Sequence, residues 1–144
     1  MPACTFFGHR DCPDAVKEKL RESMTELIEN HKVDLFYVGH QGRFDSMARA
    51  VLRELKKKYP QMDYAVVLAH FPEGKKESDI VSDTIVPEGL EFVHPRYAIS
   101  WRNEWMLKRS DYVITYITHD WGGANRYAQK AIRQRKSVIN LAEF

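Results

Sequence analysis

The stretch Trp101 to Gly123 reads WRNEWMLKRSDYVITYITHDWGG and joins a permanent cation, an apolar run and a glycine pair. Arg102 offers a planar fork of donors that fits phosphate or ribose oxygens. Gly122-Gly123 leaves backbone N–H groups free to approach an anion at the start of a following helix. The chemistry implied is capture of a phosphorylated small molecule. Two shorter turns share this character: Gly8-His9-Arg10, and Gly39-His40-Gln41-Gly42 followed by Arg43-Phe44-Asp45. Taken alone, a GxxG turn is as consistent with a tight strand-to-helix turn needing positive φ as with a phosphate cradle. Asp45, in turn, reads as a helix N-cap or as an acceptor for a ribose hydroxyl.

Arg102 and Asn103 fall early in a helix on the ligand side of the expected sheet, which favours ligand contact over a surface ion pair. Trp101 and Trp105, four apart, read first as core or subunit contacts, whereas Trp121 beside the glycine pair is the better cover for a base or ribose. His9 is read as a hydrogen-bond donor. The histidines occur singly, without HxxxH or carboxylate spacing, so no metal is expected. The candidate ligand-binding set is Gly8, His9, Arg10, Gly39, Gln41, Gly42, Asp45, Arg102, Asn103, Trp121, Gly122, Gly123 and Ala124.

These residues need a scaffold, and the chain is long enough for one compact domain: 144 residues, 44% of them hydrophobic. Short apolar runs alternate with stretches of helical period, as in strand-helix-strand units of a parallel sheet covered on both faces. Strands are expected at Cys4 to Phe7, Asp34 to Val38, Tyr64 to Ala69, Tyr112 to Ile117 and Ser137 to Leu141. Helices are expected after Pro13, with Val16, Leu20, Met24, Leu27 and Ile28 on one face, and over Phe44 to Tyr59, Ala98 to Arg109 and Asn125 to Gln134. Five strands and four helices in alternation predict a single α/β domain, a doubly wound Rossmann-like sheet, mainly parallel, with helices on both faces. A strand order of 3-2-1-4-5 would reverse the winding between the first and fourth strands and gather the glycine turns at one crevice. The long connection from His70 to Pro95 reads as a lid or binding loop, within which Thr84-Ile85-Val86 could add a small strand.

Charge and cysteine content narrow the partners. Lys plus Arg number 22 against 20 Asp plus Glu, a net charge of +2, which argues against a nucleic-acid partner and permits an anionic small ligand. Cys4 and Cys12 form neither a CxxC pair nor a zinc cluster and suit a reducing interior. No apolar run approaches the roughly 20 residues that span a bilayer, and no charged-then-apolar leader is seen, so a cytoplasmic protein without a membrane partner is expected.

Five segments in order resemble the SLOG superfamily, which unites LOG-type phosphoribohydrolases, DprA-like proteins and nucleotide-ligand sensors, and within it the small bacterial and prophage YoqJ/YpsA-like branch (DUF1273). They are TFFGHR at Thr5 to Arg10, VGHQGRFD at Val38 to Asp45, RNEWM at Arg102 to Met106, Ser110-Asp111, and WGGA at Trp121 to Ala124. The resemblance implies a pocket for a nucleotide-derived molecule such as ADP-ribose, a cyclic relative or a nucleoside phosphate, held without a further cofactor. It also implies a homodimer, for which Trp101, Trp105 and Tyr127 would supply exposed aromatic surface. In the LOG branch an arginine and a glutamate cleave the N-glycosidic bond. Arg102 matches the first, but Gln129 falls at the glutamate position, and an amide neither holds charge nor takes a proton there. Binding, for sensing or sequestration, is therefore the leading expectation. The alternative is a nucleoside-monophosphate N-glycosidase in which Asp45, Glu104 or Asp120 replaces the glutamate.

Overall fold

A computed structural model describes residues 2–69 and 84–142 of the chain. Six parallel strands form one sheet: β1 (Ala3–Gly8), β2 (Leu35–Val38), β3 (Asp63–Val67), β4 (Thr84–Ile85), β5 (Tyr112–Tyr116) and β6 (Ser137–Asn140). Their order is β4-β3-β2-β1-β5-β6. Four helices connect them: α1 (Val16–Asn30), α2 (Gly42–Lys58), α3 (Ala98–Lys108) and α4 (Gly123–Arg133). The described residues thus form an α/β fold with six strands rather than the expected five. The additional strand is Thr84–Ile85, which pairs with Val66 and Val67 at the sheet edge. It falls within Thr84-Ile85-Val86, the piece of the long connection that could add a small strand, and two residues at an edge need only a short ladder. Most of the connection read as a lid, residues 70–83, lies outside the described residues.

Strand alternation assigns each helix pair to a face. Cys4, Phe6, Phe36, Val38 and Ile114 point toward α1 and α2, where they meet Leu20, Met24, Phe44, Val51 and Leu52. On the opposite face Phe7, Val67 and Val113 meet Met106 and Leu107 of α3 and Tyr127 and Ala131 of α4. The five residues of α1 spaced at three and four are its five buried ones. Phe6 stacks with Phe36 at 6.1 Å and meets Phe44 edge-on at 6.5 Å. Each such buried side chain contributes about 1.5–3 kcal/mol.

Two aromatic residues are placed differently from the expectation. Tyr127 is 4% exposed, stacks on Phe7 at 5.4 Å and donates its hydroxyl to the Ser100 carbonyl at 3.2 Å. Trp105 is half-buried, edge-on to Tyr37 at 5.2 Å with the Arg109 guanidinium 4.0 Å from its ring centroid. Trp101 remains exposed. No helix among the described residues is long and apolar enough to cross a membrane.

Register prepares the site. β1 pairs with β5 from Cys4↔Tyr112 to Gly8↔Tyr116, so the loops that leave these strands emerge side by side. The winding reverses between these two strands, one leading outward to β2 and the other to β6. Crevices at such reversals are open because the following helices pack on opposite faces.

Candidate functional site

A cleft of about 630 Å³ opens at the carboxyl ends of β1 and β5. All of the candidate ligand-binding residues line it except Gly39 and Gly42. The sequence reading did not single out Phe6, Phe7, Asp11, Ile99, Met106, Thr118 and His119 for the site, yet they line it too. Met106 lay in the RNEWM segment and Thr118-His119 next to the WGG segment, so proximity to those motifs was the available signal.

Arg102 forms the floor. It is 2% exposed; its Nη1 donates to the Val67 carbonyl at 3.3 Å and its Nε to Asn103 Oδ1 at 2.8 Å. Asp45 approaches from α2, and its Oδ2 accepts the Gln41 N–H at 3.1 Å, so the carboxylate reaches back over the first turn of its own helix. Burial pushes the Asp45 carboxyl up to about 6, against the pull of Arg102, the Gln41 N–H and Arg49. Desolvation likewise lowers the Arg102 pKa, opposed by Asp45 and then Tyr127.

Gly39 leaves room for both side chains. A Cβ on Gly39 would stand 2.7 Å from both Arg102 Nη1 and Asp45 Oδ2. Gly42, at φ +83°, lies against the stem of Arg10, where a Cβ would sit 3.1 Å from Cγ. His40 of the same turn accepts the Ala69 N–H at 3.2 Å. Room in this turn is therefore taken by the protein's own side chains, while Gln41 and Asp45 reach the cleft.

The turn between β5 and α4 is different. Gly122 precedes α4 at φ +95°, and no side chain caps the helix. A Cβ built on Gly123 would meet nothing within 4 Å. The first-turn N–H groups of α4 thus adjoin open space on the cleft side, with the positive end of the helix dipole behind them. Arg10 is exposed at the rim and Arg102 lies beneath.

Above this floor His9 stacks on His119, and His119 stacks on Trp121. His9 accepts at Nε2 from the Thr118 N–H at 3.0 Å, where the sequence reading had a donor. Desolvation, followed by the neighbouring His119, lowers the His9 pKa and favours the neutral ring that such acceptance requires.

A second hollow, of about 580 Å³, lies beyond the β5–α4 loop, against α4 and β6. Gln129, which the resemblance would align with the LOG glutamate, lines this hollow together with Asp120 and not the cleft. Glu104 pairs with Lys130. Of the three acids considered as substitutes for that glutamate, Asp45 alone lines the cleft. Among the described residues no three His, Cys, Asp or Glu side chains group as a metal site.

No protein-family model matches the chain, and no curated protein matches it. The functional reading therefore rests on the geometry of the cleft.

Proposed function

We propose that the protein binds a nucleotide-derived small molecule, such as ADP-ribose, a cyclic ADP-ribose-type signal or a nucleoside phosphate, in a Rossmann-like domain of SLOG type. The observation that carries the reading is the uncapped start of α4, with open space at Gly123, facing a cleft that has Arg10 at its rim and Arg102 in its floor. Phosphate oxygens accept from the α4 N–H groups, Arg10 adds a mobile cation, and Asp45 accepts a ribose hydroxyl. The protein acts as a sensor or as a phage-side sponge for a signal molecule, working in the cytoplasm, where free thiols such as Cys4 and Cys12 persist.

Thermal-shift measurement against a nucleotide panel tests this. A true ligand at about 100 times its dissociation constant adds roughly 2.7 kcal/mol of stability. The shift should shrink in Arg10→Ala, whose side chain is exposed. A panel without any shift refutes the reading.

One observation favours the N-glycosidase alternative: Asp45, in the cleft, carries a pKa of about 6. A carboxyl so placed can exchange a proton near neutrality, as general acid-base chemistry requires. Free base released from nucleoside monophosphates or NAD, and abolished in Asp45→Asn, would convert the binding reading into an enzymatic one.

A homodimer accompanies the proposal. Phe92, Tyr97, Ile99 and Trp101, all exposed around the start of α3, supply apolar surface next to the cleft. Sedimentation equilibrium should give twice the chain mass, and Trp101→Glu should return it to one.

A further inference from the structure

Three rings form a column at the cleft mouth. The centroids of His9 and His119 are 3.6 Å apart with 13° between planes, and those of His119 and Trp121 are 3.8 Å apart with 17°. Both imidazoles are pinned. Thr118 N–H donates to His9 Nε2 at 3.0 Å, and His119 Nδ1 lies 3.0 Å from the Trp121 carbonyl oxygen. A carbonyl has no proton to give, so His119 carries a hydrogen on Nδ1. The column therefore rests on β1, through a ring whose orientation the β1–β5 register fixes.

Its outer member is left in the open. Trp121 is 67% exposed while lining the cleft, and among the described residues no further ring stacks on it. Indoles are normally covered, because they carry one of the largest apolar surfaces of any side chain. Here two hydrogen-bonded imidazoles hold one face of the indole and leave the other bare, directly before Gly122 and the open start of α4. An anion site and a flat apolar platform thus share one short loop. A mononucleotide has the same layout, with an aromatic base and a phosphate joined through a ribose.

We infer that the bare face of Trp121 is a stacking subsite for a purine-sized planar base, carried by the same guest whose phosphate lies at the start of α4. The inference rests on the nucleotide-binding reading and sharpens it to a ligand class. Stacking attraction grows with overlapped ring area, so a bicyclic purine gains more on a bicyclic indole than a pyrimidine does, and a bare ribose phosphate gains nothing. No hydrogen bond to the base edge is needed for this preference.

Isothermal titration with AMP, CMP, ADP-ribose and ribose 5-phosphate tests it. Affinity should fall from AMP to CMP to ribose 5-phosphate. Trp121→Ala should weaken AMP roughly tenfold and leave ribose 5-phosphate within about twofold, since stacking on an aromatic side chain contributes on that scale. Trp121→Phe should recover part of the loss. AMP should quench the intrinsic tryptophan fluorescence of the native chain, and the quenching should vanish in Trp121→Phe. If AMP and ribose 5-phosphate bind equally well, or Trp121→Ala and Trp121→Phe weaken both alike, the column is only a staple for the loop; the stacking subsite is then overturned while the anion cleft stands. If none of the four compounds binds, the nucleotide reading falls and this inference falls with it.

Discussion

The turns that follow β2 and β5 look alike in the sequence, each a pair of glycines between an apolar run and an amphipathic helix, yet they use their missing side chains in opposite ways. At Gly39 the vacated space holds the Arg102 guanidinium and the Asp45 carboxylate, and at Gly42 it holds the stem of Arg10. At Gly123 the space is open and faces the cleft. The first turn is glycine-rich so that the protein can touch itself, and the second leaves its space open to the cleft. Both support the cleft. The first does so indirectly, by seating the charged floor.

Gly39→Ala should show the larger effect of the two turns. Its methyl carbon would stand 2.7 Å from Arg102 Nη1 and from Asp45 Oδ2, both buried, and Arg102 can retreat only by giving up the Val67 carbonyl and Asp45 only by giving up the Gln41 N–H. Forcing extra volume into a filled interior site costs about 1–3 kcal/mol, so urea unfolding should register a loss of that size. A loss below about 1 kcal/mol would mean that Arg102 and Asp45 shift aside without losing these hydrogen bonds.

A pH experiment probes the same floor. The Asp45 carboxyl is raised from 3.8 to about 6 in the folded state, so between those values the folded protein holds a proton that the unfolded chain has released. Stability from this group is therefore full below about pH 4 and is lost as pH rises to about 6. The span is roughly 3 kcal/mol. Exposed carboxylates such as Glu54, whose pKa is lowered mainly by Arg21, give the opposite slope, so the useful quantity is a difference. Asp45→Asn should gain stability relative to the native chain as pH climbs through this window, in parallel urea titrations. A constant difference across the window would place the titration elsewhere.

These two turns also mark how far the sequence could be read. The alternation of strands and helices and the buried face of α1 follow from periodicity, which is local and present in every window, whereas the reversal between β1 and β5 depends on strand order, which periodicity does not fix. The occupancy of Gly39 depends on Arg102 arriving from a helix after β4, which no spacing within the turn reveals. His9 and Thr118 meet although they stand 109 residues apart, because Gly8 and Tyr116 share a register position. As isolated histidines, His9 and His119 gave no sign of the stacked column. Tyr127 is expected at an exposed dimer surface only by analogy with the resembling family; its ring instead covers Phe7, and the hydroxyl is satisfied by Ser100. Local pattern set the elements, and contacts between distant residues decided which glycines face the cleft.

The smallest expected effect on stability separates the turns most sharply. In Gly123→Ala the added methyl meets no atom within 4 Å, and the residue opens α4, where alanine is at least as good a helix former as glycine. Unfolding free energy should therefore stay within about 0.5 kcal/mol of the native value or rise slightly. Ligand binding should respond differently, because the methyl projects into the space beside the first N–H groups of α4 and holds a phosphate away from them. Charge-assisted hydrogen bonds contribute about 1.5–3 kcal/mol each, so even one lost bond would weaken a phosphorylated ligand by roughly tenfold or more. A variant as stable as the native chain but impaired in binding would assign the β5–α4 turn to the guest. A variant that binds normally would move the phosphate off α4 and toward Arg10, leaving Gly123 as an ordinary helix start.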